Sequence, residues 1–590
     1  MQVKVRQLNE HVDNVIERVL RLRGIDKQDI GKFLFPDESM KPDYKLLDNI
    51  EKGIDLLHKH IEDKDKIMIV VDPDMDGYSS ASIIYQYLIE DLKYPEYLIA
   101  MYLHEGKRHG LPYTSEVMKE APKLVITPDA ASSDYDKHKE LKEKGVNVLV
   151  IDHHLAPKES EDAVVINNQL SSNFPWKALT GSNMAYLFCE AYSDKYNEGK
   201  SVEHYLDLSF IGQIADRADL RDLGSFYFYY KGSQSVNNEL IRYIVDKDTS
   251  IEYGKKLTAR DVGWKIAPFF NAIIRSGSHE RQKIVVEALN GSDEMVYNTR
   301  LKDEFPIIEE ALRAMTTARN RQSTKTKKAM ELIEERVREM GSDEHKVILV
   351  NATDIIDDSS LTGLIASKVA DLYKKPAMIM KYYPQDRTLK GSMRGFANMP
   401  IESFKDVLES TGLMNFVAGH DNAAGFELSI DNALDLTPAL NELLSDVEYD
   451  NLLHEVDISY YQQPDAEEVL EIAKHEELWG EGIESPKVHV EDIIVNKSDI
   501  RFIGSKGNVW SIDLQTCQGI MFNLSEGQKL ALTNHEDDLL KISIVGECSI
   551  NDYRGQKRPQ IIIEDFSVEG VSEKEQDVSP WAHREDTLPF

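Results

Sequence analysis

Cysteine is nearly absent: the chain of 590 residues has three, Cys189, Cys517 and Cys548. They are too few and too scattered for a disulfide framework or a thiolate zinc site, so any bound metal must be held by carboxylates and imidazoles. Long apolar runs are also missing. The opening MQVKVRQLNEHVDNV has no apolar stretch of the kind a signal peptide carries, and no later run approaches the roughly 18 apolar residues of a membrane span. A cytoplasmic, membrane-free protein is expected. Positive charge is in short supply too, with 69 Lys and Arg against 103 Asp and Glu and a formal net charge of −34. Phosphate binding is driven largely by Lys and Arg, so this balance argues as a whole against a nucleic-acid partner. Locally the sign reverses, at Arg319, Arg321, Lys325, Lys327 and Lys328 and again at Arg554, Lys557 and Arg558. Taken alone, each cluster is equally well a solvated surface.

What is present is the composition of a folded, multidomain protein, 41% hydrophobic and 29% charged, on a chain too long for one core. From Lys66 onward short β-branched runs alternate with helical patterns: IMIVV, a helix from Ser79 to Asp91, KLVITPD, a charged helix and VNVLVID. Such alternation predicts βαβ units and a parallel sheet covered on both faces. Residues 300–340 read as one long charged helix, and KVILVNAT restarts the alternation in a second α/β unit. From Val488 to Val568 short strands without long helices predict a small barrel of the OB type.

The expected architecture is therefore α/β, with two α/β lobes joined by a long helix and a C-terminal OB-type β-barrel. Its divisions are an N-terminal helical segment at 1–60, a catalytic lobe at 61–295 and a connecting helix at 296–345. A second lobe at 346–450, a linker at 451–487, the barrel at 488–570 and an acidic tail at 571–590 complete it.

Three acidic segments, VVDPDMDG, VITPDA and VLVIDHH, follow the three predicted strands. That is the carboxyl edge of an open sheet, where ligand sites form. In the first, Asp72, Asp74 and Asp76 crowd one turn, and Gly77 permits the bend into the next helix. Alone, this segment also reads as an aspartate-capped turn or a calcium loop. In the third, adjacent His153 and His154 on a strand would point to opposite faces, which makes His153 the candidate ligand and leaves His154 for substrate phosphate or proton transfer. Asp129 and Asp216 complete the set. Carboxylate oxygens with imidazole suit Mn²⁺ or Mg²⁺, and two such ions about 3.5–4 Å apart could drive an in-line displacement at phosphorus.

In this order, DPDMDG, VITPDA, VIDHH and IADRADL resemble the four signature motifs of the DHH phosphoesterases. LRLRGI with KFLFPD, IAPFFNAIIRSG, GSMRG, FVAGHDNAAGFEL and SINDYRGQKRPQIIIEDF are similar to successive parts of the RecJ-type exonucleases, covering nearly the whole chain to Val568. The resemblance implies a metal-dependent 5′→3′ exonuclease that acts on single-stranded DNA in replication, recombination or repair. It implies that Asp74, Asp76, Asp129, His153 and Asp216, with Asp72 beside them, hold two Mn²⁺ or Mg²⁺ ions, Asp129 bridging. It further implies that Arg275, Ser392 and Arg394 bind a 5′-phosphate, that Asn271 and His420 face the substrate, and that Arg554, Lys557 and Arg558 touch nucleic acid.

Three departures stand out: Ala131 where the family has glycine, Lys107-Arg108-His109-Gly110-Leu111 where it has EGYGL, and Phe269 where it has arginine. Two other readings remain, a phosphodiesterase on short oligonucleotides or cyclic dinucleotides and a non-catalytic replication scaffold. A monomer is expected. The terminal Glu585-Asp586-Thr587-Leu588-Pro589-Phe590 resembles the acidic, apolar tip of bacterial single-stranded-DNA-binding proteins. That likeness implies docking of Leu588, Pro589 and Phe590 on a replication or repair partner.

Overall fold

The computed structural model describes residues 1–104, 108–248, 251, 256–396, 399–449, 453–504, 507–553 and 556–570. The first lobe is built on five parallel strands, β1 (Ile67–Val71), β2 (Ile99–Leu103), β3 (Leu124–Pro128), β4 (Asn147–Asp152) and β5 (Val164–Asn167), in the order β2-β1-β3-β4-β5. Strands β1 and β3 are wholly buried, which is why they read as continuous apolar runs and not as alternation. Helices α1 (Met75–Gln86), α2 (Gly181–Tyr196) and α3 (Leu206–Ala215) pack on one another beside the sheet. Each starts or ends at the sheet's carboxyl edge. Helices α4 (Ala267–Ser276) and α5 (His279–Leu289) close this lobe against α6 (Ile307–Met340), a helix of 34 residues.

The stretch expected as connecting helix from 296 opens instead as a two-stranded hairpin, Met295–Asn298 with Asp303–Pro306, and the helix starts only after Pro306. Proline lacks the amide a strand or helix interior needs and is well placed just before the first turn.

The second lobe has strands β6 (Ile348–Asn351), β7 (Ala377–Tyr383), β8 (Thr388–Arg394), β9 (Met414–His420) and β10 (Ala423–Ser429) in the order β9-β10-β8-β7-β6. Only β6 and β7 run parallel; the rest is antiparallel. Helix α7 (Thr362–Tyr373) lies on this sheet and also meets α6. Two separate apolar cores cover the sheet's two faces, so this lobe has a core of its own.

The C-terminal sheet has seven strands, β11 (Ile458–Tyr461), β12 (Lys487–Asn496), β13 (Arg501–Ile503), β14 (Val509–Asp513), β15 (Gln518–Met521), β16 (Leu539–Tyr553) and β17 (Gln556–Gly570), in the order β11-β12-β16-β17-β15-β14-β13. Its apolar residues belong to the same core as the first lobe. The segment expected as a linker is therefore built structure. Leu453–Val456 pairs in parallel with the N-terminal strand Gln2–Val5, β11 opens the C-terminal sheet, and helix α8 (Ala466–Lys474) packs on β16 and β17. The N-terminal segment likewise is not purely helical. Arg23 fixes the junction, donating to Asp457 Oδ1 and Oδ2 at 2.6 and 2.9 Å and to the Glu484 carbonyl, both Arg23 and Asp457 being buried. Composition rich in polar residues concealed these strands because each is short and pairs far along the chain. Among the described residues no helix is long and apolar enough to cross a membrane.

Candidate metal centre and phosphate cradle

The carboxyl edge of the first sheet brings Asp72, Asp74, Asp76, Asp129, His153 and Asp216 together. Asp72 follows β1, and Asp74 caps α1 by accepting from the Gly77 amide at 2.9 Å. Asp76 lies in the first turn of α1 and is buried against the start of α2. Its carboxylate accepts from the Gly181 and Ser182 amides at 2.7 and 3.1 Å and from Thr180 Oγ1 at 3.0 Å. Anions are favoured at such helix N-termini, so these bonds from α2 fix the orientation of the Asp76 side chain. The sequence reading missed Thr180, Gly181 and Ser182. Their signal was a threonine cap at the head of an apolar helix.

Asp129, just past β3, is buried with φ +68°, and both its carboxylate oxygens lack a hydrogen-bond partner, as does the buried His153 Nε2. Nε2 stands 3.1 Å from Asp129 Oδ1 and 3.7 Å from Asp216 Oδ2. Buried polar atoms are rarely left unpaired, and three converging on one point fit a cation. Asp76, His153 and Asp216 can place ligand atoms within 4.8 Å of one another, and so can Asp72, Asp74 and Asp129. Asp129 belongs to the second group and stands 3.1 Å from His153 of the first. Burial, then the charges of Asp76, Asp74 and Asp72, hold the Asp129 carboxyl well above the usual range. Burial lifts Asp74 to about 6. Asp216 keeps 39% of its side chain exposed, yet burial of its carboxyl in the cluster and the charges of Asp76 and Asp74 push it up to about 8. Carboxylates so crowded are costly without a counter-charge, and hard oxygen donors with one imidazole suit Mn²⁺ or Mg²⁺.

The strand β4 ends at Asp152, so His153 and His154 do not alternate across a sheet; their rings lie 4.4 Å apart. What separates them is Asp152, buried beneath the turn. It accepts from the His153 and His154 amides and from His154 Nδ1 at 2.7, 3.2 and 2.8 Å, and from the Ser132 amide at 3.0 Å. Despite burial these bonds and the imidazoles hold Asp152 down at about 2, and the bond to Asp152 raises His154 to about 9. Asp152, His153 and His154 also lie near Asp129 as a possible ligand group, but Asp152's oxygens are already committed within this turn. His154, 58% exposed, is left as a cation facing outward.

The departures become intelligible here. His109 Nδ1 bonds to Asp72 Oδ2 at 2.6 Å while the Gly110 amide reaches Oδ1 at 3.2 Å, so the altered segment clamps Asp72. Ala131 has φ +82°, the left-handed region that glycine occupies freely. Phe269 on α4 is covered by the Arg319 guanidinium of α6 at 4.7 Å.

A second cluster forms where the lobes meet. Ser392 and Arg394 on β8 face the first turn of α7. Ser392 Oγ is 2.9 Å from Thr362 Oγ1, and a Cβ on Gly363 would lie 2.8 Å from Arg394 Nη2. Arg275, at the end of α4, is close enough that its charge, after burial, depresses the Arg394 pKa. Two neighbouring guanidiniums and a hydroxyl pair form a candidate anion cradle. Thr362 and Gly363 were not read from the sequence. Asn271 lies half-buried on α4, and His420 stands exposed at the end of β9, outside the carboxylate groups. Lys557 and Arg558 are exposed on β17. Arg554, Leu588, Pro589 and Phe590 lie outside the described residues.

Comparison with known proteins gives the family and the fold. The model of the DHH family N-terminal domain matches residues 66–213, and that of the RecJ OB domain matches residues 459–565. YorK of Bacillus subtilis, an SPbeta prophage-derived protein named as a single-strand DNA-specific exonuclease, is 33% identical over 576 residues, spanning 96% of this chain and 98% of its own. The single-stranded-DNA-specific exonuclease RecJ of the same organism is 26% identical over 588 residues, spanning 96% and 70%. The crystal structure of RecJ from Thermus thermophilus in complex with Mn²⁺ shares the fold, with a TM-score of 0.70 at 18% identity, covering 96% of this chain and 79% of that one.

Proposed function

Since the chain belongs to the RecJ family of DHH phosphoesterases, we propose that it is a metal-dependent exonuclease that removes nucleotides from single-stranded DNA in the 5′→3′ direction. The observation that carries this reading is Asp129, whose two buried oxygens have no partner and lie between two groups of carboxylate and imidazole donors. Asp74, Asp76, Asp129, His153 and Asp216 would hold two Mn²⁺ or Mg²⁺ ions, with Asp129 shared and Asp72 beside them. Bound there, such ions supply a nucleophile at neutral pH and neutralise charge on the leaving oxygen.

The protein's own part is positioning. Helix α2 fixes Asp76, and Asp152 orients His154. His154, cationic at neutral pH, either steadies the scissile phosphate or gives a proton to the departing oxygen. Arg275, Ser392 and Arg394, with the Thr362 hydroxyl, would take the terminal 5′-phosphate, so that only the bond next to that end reaches the carboxylates. Asn271, His420, Lys557 and Arg558 would guide the strand. This role places the protein in replication, recombination or repair, working as a monomer in the cytoplasm.

The test is digestion of single strands labelled at either end, with Mn²⁺, comparing the parent with Asp129→Ala. Release of mononucleotides from the 5′ end, abolished in the variant, is the expected result. Attack from the 3′ end overturns the polarity, and DNA binding without cleavage by either protein points to a scaffold.

A further inference from the structure

At the free edge of the first sheet, on the face carrying α1 and α5, lies a groove of about 500 Å³ that the nuclease reading does not use. Its floor is apolar, from Ile99, Met101 and Leu103 of β2 with Ile89 and Val286. Its rim is acidic, from Glu90, Glu96, Glu287, Asp293 and Glu294, against one cation among the described residues that line it, Lys283. Large apolar side chains stand in solvent beside it in sequence: Tyr97 next to Glu96, 80% exposed, and Met295 and Tyr297 of the hairpin next to Glu294, 54% and 57% exposed. In the groove wall Asn290 Oδ1 is buried without a partner, an acceptor that no donor satisfies.

We propose that this groove is a docking site for a basic, amphipathic segment of a partner protein, its apolar side chains on β2 and its Lys or Arg residues on the rim. The sign of the rim chooses among occupants. DNA is repelled by it, and so is this chain's own acidic C-terminal tip. A segment that brings Lys or Arg neutralises carboxylates that now crowd one another: burial and then Glu294 hold Glu287 above its ordinary value, and burial does the same for Glu90. The volume is that of sites that admit several side chains, and the exposed Tyr97, Met295 and Tyr297 extend the contact beyond the groove.

The probe is a fluorescein-labelled peptide of alternating Leu and Lys, followed by anisotropy on the full chain in about 150 mM salt, where a Debye length of about 8 Å suppresses general attraction to an acidic protein. Two double variants are compared, Glu287→Lys/Glu294→Lys at the rim and Asp435→Lys/Glu442→Lys on an exposed remote helix with the same change of charge. Weakening by at least about tenfold, or 1.4 kcal/mol, at the rim alone is expected. Equal weakening in both variants, or displacement of the peptide by an oligothymidine strand, overturns the proposal. Binding is read without catalysis, so failure here leaves the nuclease assay independent.

Discussion

Gly181 is the first residue of α2 and the place where that helix touches the metal centre from behind. A Cβ there would lie 2.4 Å from Asp129 Cβ and Oδ1 and 2.6 Å from Cγ. Carbon contacts settle at about 3.5–4.0 Å, so Gly181→Ala must open the gap by roughly 1 Å or more. Either Asp129 moves, out of a left-handed backbone position that leaves it little slack, or the α2 N-terminus moves and takes with it the amides that hold Asp76. Mg²⁺–oxygen bonds of about 2.0–2.1 Å would not survive such a shift, and a 1 Å misplacement costs about 10²-fold in rate. We therefore expect kcat/KM on single-stranded DNA to fall about 10²-fold and Mn²⁺ affinity about 10- to 100-fold. Stability should fall less than overpacking alone, about 1–3 kcal/mol, would suggest, because alanine regains up to about 1 kcal/mol over glycine in a helix. The assay is calorimetric Mn²⁺ titration beside thermal melts in EDTA, with Gly263→Ala, where the added Cβ meets no atom within 4 Å, as control. A Gly181→Ala protein that binds Mn²⁺ and cuts DNA like the parent refutes the claim that this contact sets Asp129.

Further expectations follow from other contacts. Ala131→Gly should raise the unfolding free energy by about 1 kcal/mol in urea melts, because Ala131 sits at φ +82° where glycine is unstrained; no gain would mean the turn is not strained. Asp457→Ala, which strips Arg23 of its buried partner, should cost about 3–5 kcal/mol by the same melts, and a loss below about 1 kcal/mol would make the junction marginal. Gly363→Ala should push Arg394 aside and narrow the preference for 5′-phosphorylated over 5′-hydroxyl ends through KM with little change in kcat; equal preference to the parent counts against the cradle. Asp216 is raised to about 8, above its unfolded value near 3.8, so its contribution to the metal-free fold is complete below about pH 4 and lost as pH rises through about 8. Melting of the EDTA-stripped protein should therefore rise from about pH 9 to 7, while Mn²⁺ affinity falls over the same range as protons compete for the ligands. A stripped protein that melts lower at the neutral end of that range than at the alkaline end contradicts this.

The sequence made the candidate metal ligands legible because they obey a rule that needs no side-chain contact: acidic segments at strand ends collect at one edge of a parallel sheet. Asp129 could be placed that way, but its neighbours could not. Thr180 and Gly181 act on Asp76 from 104 and 105 residues away. Thr362 and Gly363 meet Ser392 and Arg394 through a strand-to-helix approach that no local pattern records. The same limit explains the missed strand pairing of Gln2–Val5 with Leu453–Val456, four residues apiece with no run long enough to show a period. The seven-stranded C-terminal sheet was visible in its long strands and hidden at β11.

The three departures from the family pattern were visible as differences, and only geometry gives them a common sense. His109 bonds to and clamps Asp72; the Arg319 guanidinium of another helix covers Phe269; Ala131 keeps the left-handed turn at the expense of strain. Two of the three departures are supported by a side-chain contact, the His109–Asp72 bond and the Arg319 guanidinium over Phe269, while the strain at Ala131 lies in its backbone. Six ionisable groups crowded at one sheet edge are costly without a cation, because burial and mutual repulsion disfavour the charged carboxylates, and a cation bound among them would offset both.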